Sequence, residues 1–279
     1  MNKLALSIAT AAMLTGCASQ GGNNATNSTT NSTKSKSIVV YYSQNGGTEK
    51  VAKIFSERLG IEIDSIVCNE PYDSDFGKTI QRWQEERQKD ILPAIKPIGH
   101  NIADYDTIYL GYPVWGGTYA SPMMSFITAT DLKGKVIVPF CTFGSGGLNT
   151  STDNLKDQLK DTKVLDGYGV RAARISKAKA EIETFLINSG IAKGKKTTLP
   201  DFSEQKPVTE DEKKIFDAAC SSYSMPLGSP LTVGKRDIAN GVEYLFTVEN
   251  KTPDGNTSQS KIFVIVSDGA EPEFTQVVR

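Results

Sequence analysis

Histidine is nearly absent from this chain: His100 is the single one in 279 residues. One imidazole leaves no His-rich metal centre, and neither a Ser–His–Asp set nor a paired-carboxylate arrangement can be read for hydrolysis. His100 itself reads as a loop histidine without a partner. Cysteine is scarce too. Cys17, Cys68, Cys141 and Cys220 are far apart and lack CxxC spacing, which argues against a disulfide framework and against zinc. Neither sign of charge dominates, since 31 Lys and Arg stand against 32 Asp and Glu. No broad basic surface follows, so nucleic acid is not an expected partner. No internal repeat is visible, and no Gly-x-Gly-x-x-Gly unit with a downstream acid marks a dinucleotide site. Long apolar runs are missing as well. Leu4 to Leu14 is the apolar stretch at the N-terminus, and it is too short to span a bilayer.

That stretch reads as a targeting segment, with Lys3 as its short positive region. It ends in Leu14-Thr15-Gly16-Cys17, which resembles the lipobox of bacterial lipoproteins. The resemblance implies cleavage before Cys17 and acylation of that cysteine. It also implies an exported protein held on the extracytoplasmic side of a membrane, since more than one acyl chain anchors stably. Residues 1–17 are then the signal segment. Residues 18–36 are small and polar with no large apolar side chain, and they read as a disordered tether.

The chemistry-bearing stretches come next. Ser43-Gln44-Asn45-Gly46-Gly47-Thr48 follows the apolar run Ile38 to Tyr42 and opens a helical pattern. A hydroxyl- and glycine-rich turn between a strand and a helix N-terminus is an anion site. The first helical N–H groups have no internal partner, and the helix dipole puts partial positive charge there. Ser43, Asn45 and Thr48 add side-chain donors. The loop holds no Lys or Arg, so an anion would be held by neutral donors, unlike in the P-loop of ATPases. Two more strand candidates end in similar loops. Thr107 to Leu110 leads into Gly111-Tyr112-Pro113-Val114-Trp115-Gly116-Gly117-Thr118, and Val136 to Cys141 leads into Thr142-Phe143-Gly144-Ser145-Gly146-Gly147. In open parallel sheets, ligands bind beyond the carboxyl ends of the strands. Phosphate donors, an aromatic face and free backbone N–H groups together suit a phosphorylated, planar heteroaromatic ligand.

On these three loops the chain resembles the flavodoxin family over roughly residues 37–190. The first loop is similar to the family's FMN phosphate loop, the second and third to its flavin loops. The resemblance implies FMN as cofactor and a three-layer α/β/α fold with a five-stranded parallel sheet in the order 2-1-3-4-5. It implies contact from Ser43, Gln44, Asn45, Gly46, Gly47 and Thr48, from Pro113, Val114, Trp115 and Gly116, and from Thr142, Phe143, Gly144, Gly146 and Gly147. Trp115, and with it Tyr112 as an even choice, would lie against the flavin ring. Cys141 reads as a buried small residue.

The remaining pattern alternates strands and helices. Val51, Ile54, Phe55 and Leu59 recur at helical spacing, and Ile61 to Val67 alternates as a strand does. Phe76, Ile80 and Trp83 form a helical stripe, with Trp83 as packing. Ser121 reads as a helix N-cap ahead of Pro122, with Met123, Met124, Phe126 and Ile127 facing inward. Leu155 and Leu159 mark a short helix, Lys163 to Val170 a last strand, and Ser176 to Asn188 a last helix stopped by Gly190. Strand–helix alternation argues for a covered parallel sheet. Residues 37–192 thus form the flavodoxin-like domain and 193–200 a linker, predicted to be a protease-sensitive joint.

Beyond it the rhythm changes. Thr209-Glu210-Asp211-Glu212 is a capping box, Ile215, Phe216, Ala219 and Tyr223 share a face, and strand signals follow. Residues 201–279 read as a small α+β domain that resembles the cystatin-like fold through Gly228-Ser229-Pro230-Leu231 and Asn240-Gly241-Val242-Glu243-Tyr244. Arg236 to Gly241 lacks the inhibitory Gln-x-Val-x-Gly pattern, so a protein partner, not protease inhibition, is the role left to this domain. The expected function is that of an FMN-binding redox protein: an electron carrier with donor and acceptor unnamed, or an FMN-dependent oxidoreductase acting on a small acceptor. The alternative is a flavodoxin fold without cofactor that serves as scaffold while the cystatin-like module binds a partner.

Overall fold

The computed structural model describes residues 35–251 and 255–279. Cys17, the lipobox and the tether as far as residue 34 lie outside the described residues. The first part of the chain runs β1 (Ser37–Tyr41), α1 (Gly47–Leu59), β2 (Glu62–Ser65), α2 (Phe76–Gln88), β3 (Thr107–Trp115), β4 (Thr118–Tyr119), α3 (Ser121–Ala129), β5 (Val136–Phe143), α4 (Leu148–Gln158), β6 (Lys163–Val164), β7 (Tyr168–Arg171) and α5 (Ala178–Asn188). The parallel strands lie in the order β2-β1-β3-β5-β6, with β7 also on β5, while β4 folds back antiparallel on β3. With β6 and β7 taken as one interrupted strand, this is the 2-1-3-4-5 arrangement.

The interruption has a local cause. Ile137 pairs with Val164 and Phe140 with Tyr168, so the gap falls opposite Val138 and Pro139. Proline has no N–H to give to a neighbouring strand. The continuous strand read over Lys163 to Val170 is therefore split in two.

Alternation along β1 sorts the core. Ile38, Val40 and Tyr42 pack on one face with Met123 and Phe126 of α3 and Leu155 of α4. Val39 faces the other way, toward Val51 and Phe55 of α1 and Ile182 and Leu186 of α5. Phe55 stacks on Phe140 at 4.8 Å between ring centroids. Full burial of each such ring contributes roughly 1.5–3 kcal/mol. Gly111 makes room for this pair, since a Cβ there would lie 2.1 Å from the Phe140 ring.

Three readings change. Phe76 starts α2 but is 75% exposed, so the stripe does not reach the core through it. Ser121 is the first residue of α3; Ala120 is the cap, with no side-chain capping bond, because Pro122 already supplies a residue that needs no donor partner. Met124 is half-buried while Met123, Phe126 and Ile127 are buried.

Residues 193–205 carry no helix or strand. The second part runs β8 (Lys206–Pro207), α6 (Glu210–Cys220), β9 (Ser229–Ile238), β10 (Gly241–Lys251), β11 (Thr257–Ser267) and β12 (Glu273–Val278). It is an α+β unit with an antiparallel sheet in the order β12-β11-β10-β9-β8. Thr209 and Glu212 close the capping box read from sequence. Phe216 and Ala219 of α6 meet Val233, Phe246, Val248, Ile262, Val264, Phe274 and Val277 in one core.

Candidate functional site

The three loops converge because β1, β3 and β5 are adjacent and parallel. Tyr41 pairs with Gly111, Gly111 with Phe140, and Pro113 with Thr142. All three strands therefore end on the same side of the sheet, with β3 running on to Trp115 and β5 to Phe143.

In the first loop Gly46 caps α1 with φ 77°, and no side chain occupies the helix start. That left-handed conformation costs a residue with a Cβ about 1–2 kcal/mol. The capping glycine leaves the first N–H groups of α1 directed out of the helix. Ser43 Oγ is buried and has no hydrogen-bond partner, one of two such side-chain atoms among the described residues. An acceptor seated in the loop would supply that partner, and an orphaned buried hydroxyl otherwise costs about 1–3 kcal/mol. Asn45 is exposed at the loop tip. Glu49, in the first turn, is held by Lys53 at 2.5 Å on the outer face. Gln44 is engaged elsewhere: it accepts from Tyr42 Oη at 2.5 Å and donates to Asp73 O at 2.8 Å. Thr48 is 1% exposed, and its hydroxyl lies 2.8 Å from that of Thr142.

The second loop is a hairpin. Val114 and Trp115 pair with Tyr119 and Thr118 across Gly116 (φ 55°) and Gly117 (φ 85°). Two successive positive φ values are those of a type I′ turn, which two glycines suit. Trp83 packs beneath it, since a Cβ at Gly116 would meet its ring at 2.3 Å. The reading of Trp83 as packing stands, with the loop itself as what it packs on. Trp115 is half-buried, edge-on to Tyr72 at 5.0 Å and to Tyr42 at 5.9 Å. Tyr112 is not beside it. It is fully buried, donates to Ser151 Oγ at 3.3 Å and lies edge-on to Tyr119.

The third loop leaves β5 through Thr142 and Phe143, both buried. Phe143 packs beside Gly169, where a Cβ would meet its ring at 2.9 Å; its ring belongs to the core. Gly147 caps α4 with φ 116°, and Val114 fills the space a Cβ would need there, 2.7 Å away. The second and third loops thus touch. Gly144 is exposed, while Ser145 and Gly146 are half-buried.

Burial governs the titratable groups nearby. It pushes the Cys68 thiol up to about 11, so no thiolate is available at neutral pH. Cys141 is fully buried and pushed up by the same cause, in line with a small core residue. Tyr42 and Tyr72 are raised by burial, and Tyr72 additionally by its hydrogen bond to Glu86. The site therefore offers neutral donors and aromatic faces, and neither of these cysteines as a thiolate. His100 is not partnerless: its Nδ1 lies 2.9 Å from Oδ2 of Asp64, the penultimate residue of β2.

Three donors and contacts were missed from the sequence. Tyr42 and Tyr72 complete the aromatic group around Trp115, and Arg171 holds the third loop from behind, donating from Nε to Gly144 O at 2.8 Å. Tyr42 sits one residue before the phosphate-type loop, which was a usable signal. Tyr72 and Arg171 had none.

The sequence profile of the family described as flavodoxin matches residues 36–186. This chain belongs to the flavodoxin family. Among solved structures it is similar to a candidate flavoprotein from Bacteroides eggerthii (29% identity, 54% of this chain and 99% of that one, TM-score 0.46). It is also similar to one from Bacteroides uniformis (26%, 53% and 98%, TM-score 0.48). A flavoprotein from Lactobacillus acidophilus, solved in complex with FMN, shares 24% identity over 53% of this chain and 99% of that one, with a TM-score of 0.44. No curated protein matches the chain.

Proposed function

We propose that this flavodoxin-family chain binds one FMN at the three loops and works as a redox protein, carrying electrons or reducing a small acceptor. Membership of the family supports the cofactor. The observation that carries the site is the unpartnered buried hydroxyl of Ser43 in the loop before α1, whose glycine cap places no side chain on the helix start. Ser43, Gly46, Gly47 and Thr48 would hold the phosphate. Trp115, backed by Tyr42 and Tyr72, would face the ring, and the N–H groups of Gly144 to Gly147 would meet its polar edge. FMN, when bound, supplies one- and two-electron chemistry; the chain supplies binding, orientation and exclusion of water.

The near-neutral net charge of −1 favours a small acceptor over a strongly basic protein partner. We further propose anchoring through acylated Cys17 on the extracytoplasmic face of a membrane, supported by the lipobox-like Leu14 to Cys17. Cys17→Ala should abolish lipid labelling and membrane partitioning; equal labelling of wild type would contradict it. For the cofactor, purified protein is denatured and the released flavin identified by chromatography. FMN is expected. A colourless protein that also takes up no added FMN would favour the cofactor-less scaffold instead.

A further inference from the structure

We propose that the last strand of the C-terminal module, β12, is part of the flavin site's wall, holding the third loop in its binding shape. This rests on the flavin reading above. β12 is an edge strand of its sheet, and edge strands present unpaired backbone groups that need covering. Here the third loop covers them. Val277 N donates to Ser145 O at 2.7 Å. A Cβ on Gly146 would lie 2.1 Å from Val277 O, so only glycine permits this approach. Arg171 bridges the same seam: Nε donates to Gly144 O at 2.8 Å, and a terminal nitrogen donates to Phe274 O at 3.0 Å. Its guanidinium lies over the Phe274 ring, 4.3 Å from the centroid. Arg174 adds a second tie, to Glu273 at 3.1 Å.

The consequence follows from peptide geometry. In a trans peptide the C=O and the next N–H point in opposite directions. Arg171 fixes the Gly144 carbonyl and Val277 fixes the Ser145 carbonyl. The N–H groups of Ser145 and Gly146 are therefore turned away from those two partners, and neither donates to a backbone partner among the described residues. These are the donors the third loop offers to a ligand. Arg171 and Val277 act as positioning residues, and the module is an element of the site as well as a neighbour of it.

The test compares full-length wild type, Val277→Pro and Arg171→Lys in titrations with FMN and with riboflavin, alongside thermal melts. Proline at 277 removes the N–H that leaves the sheet edge, a place where proline is tolerated. Lysine keeps the charge but cannot bridge two carbonyls as a fork. Each variant should weaken both flavins by about threefold to tenfold, the loss of one ordinary hydrogen bond. The losses should be equal for FMN and riboflavin, because the third loop is not the phosphate loop. Variants that melt lower but bind both flavins as wild type does would overturn the proposal, leaving the seam purely structural. A loss confined to FMN would also overturn it, by moving the effect to the phosphate. A wild type that binds neither flavin would fail the functional reading itself, and the wall with it.

Discussion

The hydroxyls of Thr48 and Thr142 lie 2.8 Å apart although 94 residues separate them. Thr48 stands in the first turn of α1 and Thr142 at the end of β5, so this bond ties the first loop to the third. One hydroxyl donates to the other, and the one that accepts keeps its own proton. When Thr142 is the donor, that proton is the one on Thr48 and can go to an anion in the first loop. Replacing either threonine strands the other's buried hydroxyl, at about 1–3 kcal/mol. Thr48→Val and Thr142→Val should each destabilise by that amount. The double variant should cost clearly less than the sum, since it leaves no stranded partner. Denaturant melts of the four proteins check this; strict additivity would show that the contact carries no coupling.

How far this was readable from the sequence follows from what each element depends on. The strand–loop–helix rhythm is local, so α1, β3, β5 and the loops at their ends were legible, as was the capping box at Thr209. The split of β6 from β7 was not, because it depends on Pro139 in a neighbouring strand. Strand β9 was missed since Ser229 to Ile238 carries Pro230, Gly234 and charges in place of a clean apolar alternation. Trp115 was set against the ligand ahead of Tyr112, which was left even, because how deeply a strand residue is buried depends on the elements that cover it, and Ser151 and Tyr119 enclose Tyr112. The role of Gly146 was invisible: its neighbour, Val277, comes from the last strand of the chain.

Gly46 isolates backbone conformation from crowding. Its φ is 77°, and no atom lies within 4 Å of a built Cβ. Gly46→Ala should therefore cost about 1–2 kcal/mol through strain alone. Gly46→Asn should cost less, because asparagine enters the left-handed region more readily. Thermal melts without ligand read both. Equal losses for the two variants would place the penalty elsewhere.

The C-terminal module should be acid-sensitive through Glu212. Burial raises its carboxyl, but the hydrogen bonds from Lys235 and Thr209 outweigh that and hold it at about 2. A folded pKa below the unfolded value means stability that is present above about 4.5 and is lost as the pH falls towards about 2. Glu212→Gln should be less stable than wild type at neutral pH and should converge with it near pH 2. Melting curves from pH 2 to pH 7 check this. A constant gap across that range would show that the carboxylate contributes nothing through its charge.

The binding of FMN at the first loop is tested most directly by titrating flavin-free protein with FMN and with riboflavin, for wild type and Thr48→Ala. Riboflavin lacks the phosphate. The expected result is one FMN per wild-type chain, weaker riboflavin, and a loss on Thr48→Ala of about tenfold to a hundredfold for FMN, since a hydrogen bond to a charged group is worth about 1.5–3 kcal/mol. The loss for riboflavin should be far smaller. Equal affinity for the two flavins in wild type, or equal losses in the variant, would contradict a phosphate held between Ser43 and Thr48.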